Sequence, residues 1–278
     1  MFTLIESLDD LKFLNQELLK RPYLGVDTEF RRTTKYNMKL ALLQVNDSEE
    51  IYLIDPIEIG DPEDHSSFLK DSNVKKIFHS CKEDIEAVYA WTGFLMTNLF
   101  DTQLANAFLG GAFSIGYQGL VDESMDIVID KGETRSNWVR RPLTDSQLNY
   151  AASDVEFLIE LYSEQSAALQ KLNKLEYHDE EVSSLLSRAL NDNPIVERAA
   201  SLSKSEERNI LNKFNDTVLT VSEETGINPT LLFSKKGQKE FLRLVVEIGL
   251  AEGLKELTNW RIDLLNDSLQ EILREFER

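Results

Sequence analysis

The sequence predicts a mixed α/β domain followed by an all-helical domain, and three observations lead to this prediction. Three short strand-like segments follow one another between residues 23 and 54, as in an antiparallel meander. From residue 62 to residue 109, strand-like and helical segments alternate, which is typical of an α/β fold with parallel strands. After about residue 165 only helical periodicity remains. The chain has 278 residues, 42% of them hydrophobic, and can therefore fill the cores of one large or two ordinary domains.

The first predicted elements are a helix and three strands. The helix spans residues 7 to 20, with Ser7 as its N-cap and leucines at helical spacing, and Pro22 ends it. The first strand is almost entirely apolar up to Asp27, which indicates a central strand covered on both faces. The three strands are predicted at Tyr23 to Phe30, Leu40 to Val45, and Ile51 to Ile54.

The alternating region contributes two further strands. Because strands that alternate with helices pair in parallel, polar groups at their ends should collect at one end of the sheet. The predicted elements are a helix at 62 to 69, a strand from Lys76 to His79, a helix from Lys82 to Thr92, a strand from Asn98 to Phe100, and a helix from Thr102 to Leu109.

Composition excludes several classes of protein. The single cysteine, Cys81, excludes an internal disulfide framework and is typical of a reducing compartment. With three histidines, a histidine-rich zinc site is not expected, so any metal should be bound by carboxylates. No apolar run reaches membrane-spanning length and no secretion signal is evident, so a cytoplasmic protein without a membrane partner is expected. The absence of sustained heptads favours a monomer.

The formal net charge of −19 argues at first against a nucleic-acid partner, since phosphates are bound by Lys and Arg. The local field decides binding, however, and basic residues do cluster. Each cluster is either a solvated face or part of a binding surface. The clusters are Arg31, Arg32, Lys35 and Lys39; Arg135, Arg140 and Arg141 around Trp138; and Lys235, Lys236, Lys239 and Arg243.

The first candidate site is a pair of acids at the end of the first strand. Side chains alternate faces along a strand, so Asp27 and Glu29 point the same way, about 6 to 7 Å apart. Two adjacent like charges repel unless a cation lies between them. The pair is therefore a candidate half-site for a hard divalent metal, or else two solvated acids at a strand end.

Two more carboxylates follow later in the chain. Asp84 lies in the first turn of a predicted helix, where an acid could also simply complement the helix dipole. Tyr150 and Asp154 stand at i and i+4 on one helical face that packs against the sheet, so Asp154 needs a charged or metallic partner. An ordinary tyrosine–aspartate hydrogen bond is the alternative.

Together these stretches resemble the motifs of the DEDD superfamily of 3′–5′ exonucleases, in its tyrosine-bearing branch, and within it the ribonuclease D family. The matching stretches are VDTEF at residues 26–30, HSxxED at 79–84 and YxxxD at 150–154. FDTQ at 100–103, DKGETRSNW at 130–138 and RPLT at 141–144 extend the resemblance over about residues 1 to 165. A match in several parts is more specific than one short motif. It implies a ribonuclease H-like fold.

The resemblance also implies a set of catalytic residues and two divalent ions, Mg²⁺ or Mn²⁺. Asp27 would bridge both ions, Glu29 and Asp154 would complete the first ion's ligands, and Asp84 would hold the second ion through water. Two ions about 3.5 to 4 Å apart can activate water, stabilise the transition state and assist the departing 3′-oxygen. Tyr150 would orient the attacking water or help to deprotonate it. Orientation is favoured, because a phenol with an ordinary pKa of about 10 is a poor base at neutral pH.

Several neighbouring residues receive no catalytic role. Asp101, ahead of Thr102, is interpreted as a cap or a structural hydrogen-bonding group. His79, Arg135 and Trp138 are candidates for contact with the substrate, but His79 could equally be a packed strand-end residue and Trp138 a core residue. Cys81 is interpreted as a small packed residue.

The C-terminal part is predicted to be a small helical bundle. We place an exonuclease domain at residues 1–190, a linker at Asn191 to Pro194, and a helical domain at residues 195–278. INPTLL at 227–232, SKK at 234–236 and NWR at 259–261 resemble HRDC-type helical domains. Members of the family carry two such domains in tandem, whereas this stretch accommodates a single copy.

The predicted function is a metal-dependent 3′–5′ exoribonuclease that trims structured RNA, such as tRNA precursors, and releases nucleoside 5′-monophosphates. Direction and product are implied by the resemblance. One alternative is a DNA 3′–5′ exonuclease, because a contact that would read the 2′-hydroxyl cannot be located. The other is a catalytically inactive RNA-binding scaffold, which the acidic charge and the single helical copy favour. The intact carboxylates and tyrosine argue against the scaffold.

Overall fold

A computed structural model of the chain describes residues 2–34, 37–129, 132–133, 136–189 and 202–276. The chain divides into two compact units. The sheet unit comprises Met1–Gln103 and Ser114–Ala168, and the helical unit comprises Leu104–Phe113 and Leu169–Arg278. The predicted linker at residues 191–194 lies outside the described residues, so the domain limits at residues 190 and 195 remain a prediction.

The sheet unit is built on one mixed sheet of six strands, in the order β1-β4-β3-β2-β5-β6. β2, β3 and β4 pair antiparallel, while β2–β5, β5–β6 and β1–β4 pair parallel. The predicted meander and the parallel second half are therefore confirmed. The strands are β1 Phe2–Ile5, β2 Tyr23–Thr34, β3 Asn37–Asn46, β4 Ile51–Ile54, β5 Lys75–Phe78 and β6 Leu99–Asp101.

The strand at the N-terminus was not predicted. β1 has four residues and pairs with β4 along its whole length, from Phe2 opposite Ile51 to Ile5 opposite Ile54. Its residues, Phe-Thr-Leu-Ile, do not alternate strictly between apolar and polar, so the pattern alone does not distinguish this strand from a loop. β2 and β3 also extend farther than predicted.

Helices flank the sheet, with α3 packed on β2 and β3, and α6 packed on β4. Ser7 caps α1 as predicted, since its side chain accepts the N–H of Asp10. The helix predicted at 62–69 is wrong, because α2 begins earlier, at Pro56 behind the N-cap Asp55, and only a 3-10 turn follows at Ser67–Leu69. The helices described up to residue 171 are α1 Leu8–Leu18, α2 Pro56–Ile59, α3 Lys82–Thr92, α4 Thr102–Phe108, α5 Tyr117–Met125, α6 Asp145–Ser153 and α7 Leu158–Lys171.

The helical unit confirms the predicted all-helical C-terminal region. Its apolar stripes meet in a core that includes Phe214, Phe233 and Phe241, whose rings contact one another edge to face or tilted. None of the helices in the described ranges is long and apolar enough to cross a membrane. The remaining helices are α8 Leu175–Ala189, α9 Lys204–Thr225, α10 Pro229–Phe233, α11 Lys235–Ile248, α12 Leu250–Leu254 and α13 Asn259–Ile272.

Lys76 on β5 gives the sheet unit a pH-dependent stability. It is fully buried, and its Nζ donates to the carbonyl oxygens of Asp71 (2.8 Å) and Val74 (2.7 Å). Burial lowers the pKa of Lys76 from 10.5 to about 7. Between these two values the unfolded chain binds more protons than the folded protein, so stability rises with pH.

We expect wild type to gain stability relative to Lys76→Met between about pH 7 and pH 10.5, by at most about 1.4 kcal/mol per pH unit. Methionine keeps the length and apolar stem of the side chain but has no proton to bind in this range. Urea unfolding of both proteins at a series of pH values measures the difference. A difference that does not vary with pH would contradict the prediction.

Candidate active site

The first two carboxylates lie side by side on the central strand β2. In the β2–β3 register, Asp27 lies opposite Gln44 and Glu29 lies opposite Leu42. The register is regular between these two pairs, so Asp27 and Glu29 project from the same face, as the alternation predicts. The register shifts directly after Glu29, before Phe30, which is a bulge-like irregularity next to the site.

The segment that follows α6 lies directly against β2 at Gly25. A Cβ atom at that position would come within 3.1 Å of Leu158 Cβ and 3.2 Å of the Val155 carbonyl oxygen, so glycine permits the close approach. From β3, Asn46 Nδ2 donates to the carbonyl oxygens of Val155 (3.0 Å) and Glu156 (3.1 Å). The C-terminal end of α6 is thus held against the strand that carries the first two carboxylates.

The end of α6 supplies Tyr150 and Asp154. Thr144 caps the helix in a capping box with Gln147, and Asp154 is the C-cap residue, whose N–H donates to the Tyr150 carbonyl oxygen at 3.2 Å. The Tyr150 side chain also hydrogen-bonds to the Asp154 carboxylate. The tyrosine ring packs beside that of Trp138, with 6.1 Å between ring centroids. The spacing of four residues therefore brings phenol and carboxylate together.

The fourth carboxylate comes from the first turn of α3. Asp84 is 6% exposed and accepts a short hydrogen bond from the Thr28 hydroxyl on β2. Asp101, at the end of β6, has a different task, because its carboxylate accepts the backbone N–H groups of Ser80 (3.1 Å) and Cys81 (2.8 Å). Asp101 thus shapes the turn before α3, in agreement with the structural role predicted for it.

The four carboxylates are coupled electrostatically, since the charges of Asp84, Asp154 and Glu29 all act on Asp27. Burial, followed by the charges of Asp84, Asp154 and Glu29, raises the pKa of Asp27 well above its ordinary value. Burial, followed by the charges of Asp154 and Asp84, raises the pKa of Glu29 to about 9. Burial also raises the pKa of Asp84 and of Asp154 to about 7, although hydrogen bonds from Thr28 and Tyr150, respectively, act in the opposite direction. Ionising the whole set is costly without a cation.

The donor set fits a hard divalent cation. All four groups are carboxylates, the ligand type that Mg²⁺ and Mn²⁺ prefer, and their mutual repulsion is what a cation would relieve. Within the described ranges, no group of three or more His, Cys, Asp or Glu side chains is arranged to hold a metal ion. What supports a cation here is the chemistry of these donors and their mutual repulsion.

The candidate substrate contacts fall in different places. Both ring nitrogens of His79 face protein atoms, Thr102 Oγ1 at 2.9 Å and the Ile115 carbonyl oxygen at 3.0 Å, as for a packed strand-end histidine. Trp138 is 5% exposed in an apolar cluster with Leu42 and Leu53, which supports the core role that the sequence left open. Arg135 lies outside the described residues.

Some residues of the predicted basic clusters form ion pairs with acidic side chains of the protein itself. Arg141 binds Asp55 through two nitrogens and donates to the Trp138 and Ala41 carbonyl oxygens, at 2.7 Å and 2.6 Å. It therefore anchors the loop before α6. Arg32 lies 2.8 Å from Glu86. Lys35 lies outside the described residues.

Sequence reasoning missed three amides around the carboxylates: Asn46, Gln118 and Gln44. Gln118 Nε2 donates to Asp154 Oδ1 at 3.2 Å. Gln44 is fully buried, and neither its amide nitrogen nor its oxygen has a hydrogen-bond partner among the residues that the structure describes. Gln44 did leave a signal, since it is the one polar residue within the apolar run of residues 40–45. The other two depend on contacts between residues far apart in the chain.

A comparison against protein-family models covers the part of the chain that supplies these carboxylates. Residues 2–170 match the model described as a 3′–5′ exonuclease. This match covers more than half of the chain, and the chain therefore belongs to the 3′–5′ exonuclease family.

Within that family, the chain is similar to ribonuclease D of several bacteria, which confirms the resemblance predicted above. It is 44% identical to the Pseudomonas paraeruginosa protein over 165 residues, 59% of this chain and 44% of that one. It is 39% identical to the Shewanella protein over 181 residues, 65% of this chain and 47% of that one. The chain thus spans about half the length of the curated relatives that it matches.

Solved structures extend the similarity to the whole fold. The crystal structure of Escherichia coli RNase D superposes with a TM-score of 0.66 and 25% identity, covering 99% of this chain and 75% of that one. The catalytic core of RRP6 from Trypanosoma brucei gives 0.63 at 19% identity, covering 99% and 79%. Brucella melitensis NrnC gives 0.60 at 20% identity, covering 71% and 98%. The predicted α/β exonuclease fold followed by a helical region is therefore confirmed.

Proposed function

We propose that the chain is a 3′–5′ exoribonuclease that hydrolyses RNA 3′ ends with the aid of two divalent cations and releases nucleoside 5′-monophosphates. The observation that carries the proposal is the set of four carboxylates on β2, α3 and α6. Asp84, Asp154 and Glu29 each raise the pKa of Asp27, and Tyr150 is hydrogen-bonded to Asp154. The activity belongs to the sheet unit.

The residues that would hold the cations are Asp27, Glu29, Asp84 and Asp154. When bound, two such ions activate water and stabilise the charge of the transition state and of the departing 3′-oxygen. The Tyr150 hydroxyl is hydrogen-bonded to Asp154, and we assign it to orienting the attacking water. Asp84 accepts a hydrogen bond from the Thr28 hydroxyl, and its charge is one of those that raise the pKa of Asp27.

RNA as the substrate is supported by the relatives. The Escherichia coli structure is described as an exoribonuclease involved in structured RNA processing, and the curated relatives are ribonucleases D. We extend this to RNA 3′ ends such as those of tRNA precursors. The one cysteine, Cys81, is free and buried, which suits the reducing cytoplasm where we place the protein as a monomer.

The test is a time course on a 5′-labelled tRNA with a short 3′ trailer, in Mg²⁺, Mn²⁺ or EDTA, beside a DNA oligonucleotide of the trailer sequence. We expect a ladder that shortens from the 3′ end of the RNA, requires the cation and is absent in EDTA. Tyr150→Phe should keep cation binding and lower the rate about 10- to 100-fold, because it removes only the hydroxyl that orients water.

The other outcomes separate the alternatives. Equal shortening of the DNA would indicate a 3′–5′ exonuclease without sugar selectivity. RNA that is bound but never shortened, with either cation, would indicate an RNA-binding scaffold and contradict the proposed hydrolysis. A Tyr150→Phe rate equal to that of wild type would remove the tyrosine from the mechanism and leave the carboxylates in place.

A further inference from the structure

The carboxylate of Asp154 has a neighbour on α5 that lies outside the motif stretches quoted above. Gln118 lies in the first turn of α5, and its Nε2 donates to Asp154 Oδ1 at 3.2 Å across 36 residues of chain. The Asp154 carboxylate therefore accepts side-chain hydrogen bonds from two donors, Tyr150 and Gln118. One donor belongs to the same helix as the aspartate, and the other comes from a separate helix.

The first turn of α5 is tied to the same segment by a second contact. Tyr117, next to Gln118 and 7% exposed, accepts the backbone N–H of Phe157 on its hydroxyl at 2.9 Å. Phe157 belongs to the turn between α6 and α7, where regular helical hydrogen bonding is interrupted. Tyr117 and Gln118 therefore both hydrogen-bond to the segment from Asp154 to Phe157, and these two contacts fix the position of the Gln118 amide beside Asp154.

The two donors to Asp154 differ in their proposed roles, because Tyr150 is also assigned to orient the attacking water. The Tyr150 hydroxyl has one proton, so it cannot donate to Asp154 and to an attacking water at the same time. When Tyr150 turns to the water, the donor that remains on Asp154 is Gln118. Glutamine suits this position, since its amide donates a hydrogen bond without adding a charge that would compete with a cation.

We propose that Gln118 is a positioning residue that holds the Asp154 carboxylate, through Oδ1, in the orientation that binds a divalent cation. This inference rests on the proposed function. Outer hydrogen bonds of this kind orient metal-binding side chains, and their loss typically lowers metal affinity or activity by about 10- to 100-fold. Gln118 acts through Asp154 and does not itself touch the substrate.

The test compares Gln118→Met with wild type and with a matched control, Gln103→Met. Gln103 is also a partly buried glutamine of the sheet unit, but its Nε2 donates at 2.8 Å to the Ile115 carbonyl oxygen. In Gln103→Met this oxygen would keep its other contact, with His79. Two quantities are titrated with Mn²⁺: the melting temperature of the protein without RNA, and the initial rate on the 5′-labelled tRNA. Unfolding in EDTA establishes that each variant is folded.

We expect Gln118→Met to raise the half-saturating Mn²⁺ concentration about 10- to 100-fold in both titrations, with a smaller loss of rate at saturating Mn²⁺. Gln103→Met should titrate like wild type. Gln118→Asn keeps an amide but places it one methylene farther from Asp154, so it should also raise the half-saturating Mn²⁺ concentration. This variant replaces Gln118→Met in the test if Gln118→Met does not fold.

The outcomes distinguish the inference from the function on which it rests. If wild type binds Mn²⁺ and hydrolyses RNA, while both Gln118 variants require the same Mn²⁺ concentration as wild type, the positioning role is wrong and the exonuclease stands. If wild type shows neither a Mn²⁺-dependent melting temperature nor hydrolysis, both are wrong. Equal shifts in Gln118→Met and Gln103→Met would show a general packing effect and would also contradict the positioning role.

Discussion

Replacing Asp27 with asparagine is expected to lower the rate of RNA hydrolysis at least about a thousandfold, which corresponds to about 4 kcal/mol of transition-state stabilisation. Asp27 is the group whose pKa responds to all three other carboxylates. Asparagine keeps the size of the side chain but leaves one neutral oxygen where the cations need a charged ligand. Initial rates on the 5′-labelled tRNA at saturating Mn²⁺ measure the loss. Near-normal activity would mean that the reaction takes place elsewhere.

The same substitution is expected to stabilise the cation-free protein. The pKa of Asp27 is raised on folding, so the unfolded chain loses this proton near pH 4 while the folded protein keeps it to higher pH. The folded state then binds more protons, and the free energy of unfolding falls as the pH rises. Asparagine has no proton to lose. The gain should be small at pH 5 and reach at least about 1 kcal/mol at pH 8, as measured by urea unfolding in EDTA.

Asp101→Asn is the matched control, with the opposite expected sign. The Asp101 carboxylate accepts three backbone N–H groups, from Ser80, Cys81 and Gln103, at 2.8 to 3.1 Å. An amide would turn a donor towards one of these N–H groups, at a cost of about 1 to 3 kcal/mol. If both asparagine variants changed stability in the same direction, repulsion among the site carboxylates would not be the cause.

Replacing Arg261 with methionine is expected to destabilise the helical unit by about 3 to 5 kcal/mol. Arg261 Nη1 lies 2.6 Å from Glu181 Oε2, with side-chain exposures of 13% and 7%. The guanidinium also donates to the carbonyl oxygens of Leu231 (2.9 Å) and Leu232 (3.0 Å), and lies 4.3 Å from the Trp260 ring centroid. Its removal would leave a buried carboxylate and two carbonyl oxygens without their charged partner.

Urea unfolding followed by far-ultraviolet circular dichroism, a signal to which every helix of this unit contributes, measures this effect. Arg243→Met, the same change at an exposed position of α11, should alter stability by less than about 0.5 kcal/mol. Combining Arg261→Met with Glu181→Leu should recover part of the loss, because the unpaired charge is removed as well. A loss below about 1 kcal/mol for Arg261→Met alone would show that Glu181 finds other partners.

Local sequence was sufficient to predict a feature when the residue pattern and the structure it forms both lie within one helix or strand. The apolar strand ending in Asp27 and Glu29, the cap at Ser7 and the pair Tyr150–Asp154 are all of this kind. Strand alternation and helical spacing place such side chains before any tertiary contact forms. Asp55-Pro56 carries a signal of the same kind. Asp followed by Pro is typical of a helix N-cap and first helical position, and α2 begins there.

The sequence by itself therefore determined the meander, the parallel strands, the helical C-terminal region and the residues proposed for catalysis. Only the tertiary structure decided which amides lie near them, how closely the segment after α6 approaches Gly25, and that Trp138 and Arg141 make contacts within the fold. Asn46 meets Val155 across 109 residues and Gln118 meets Asp154 across 36. Such contacts depend on how the sheet and helices pack, and no periodicity within one segment encodes them.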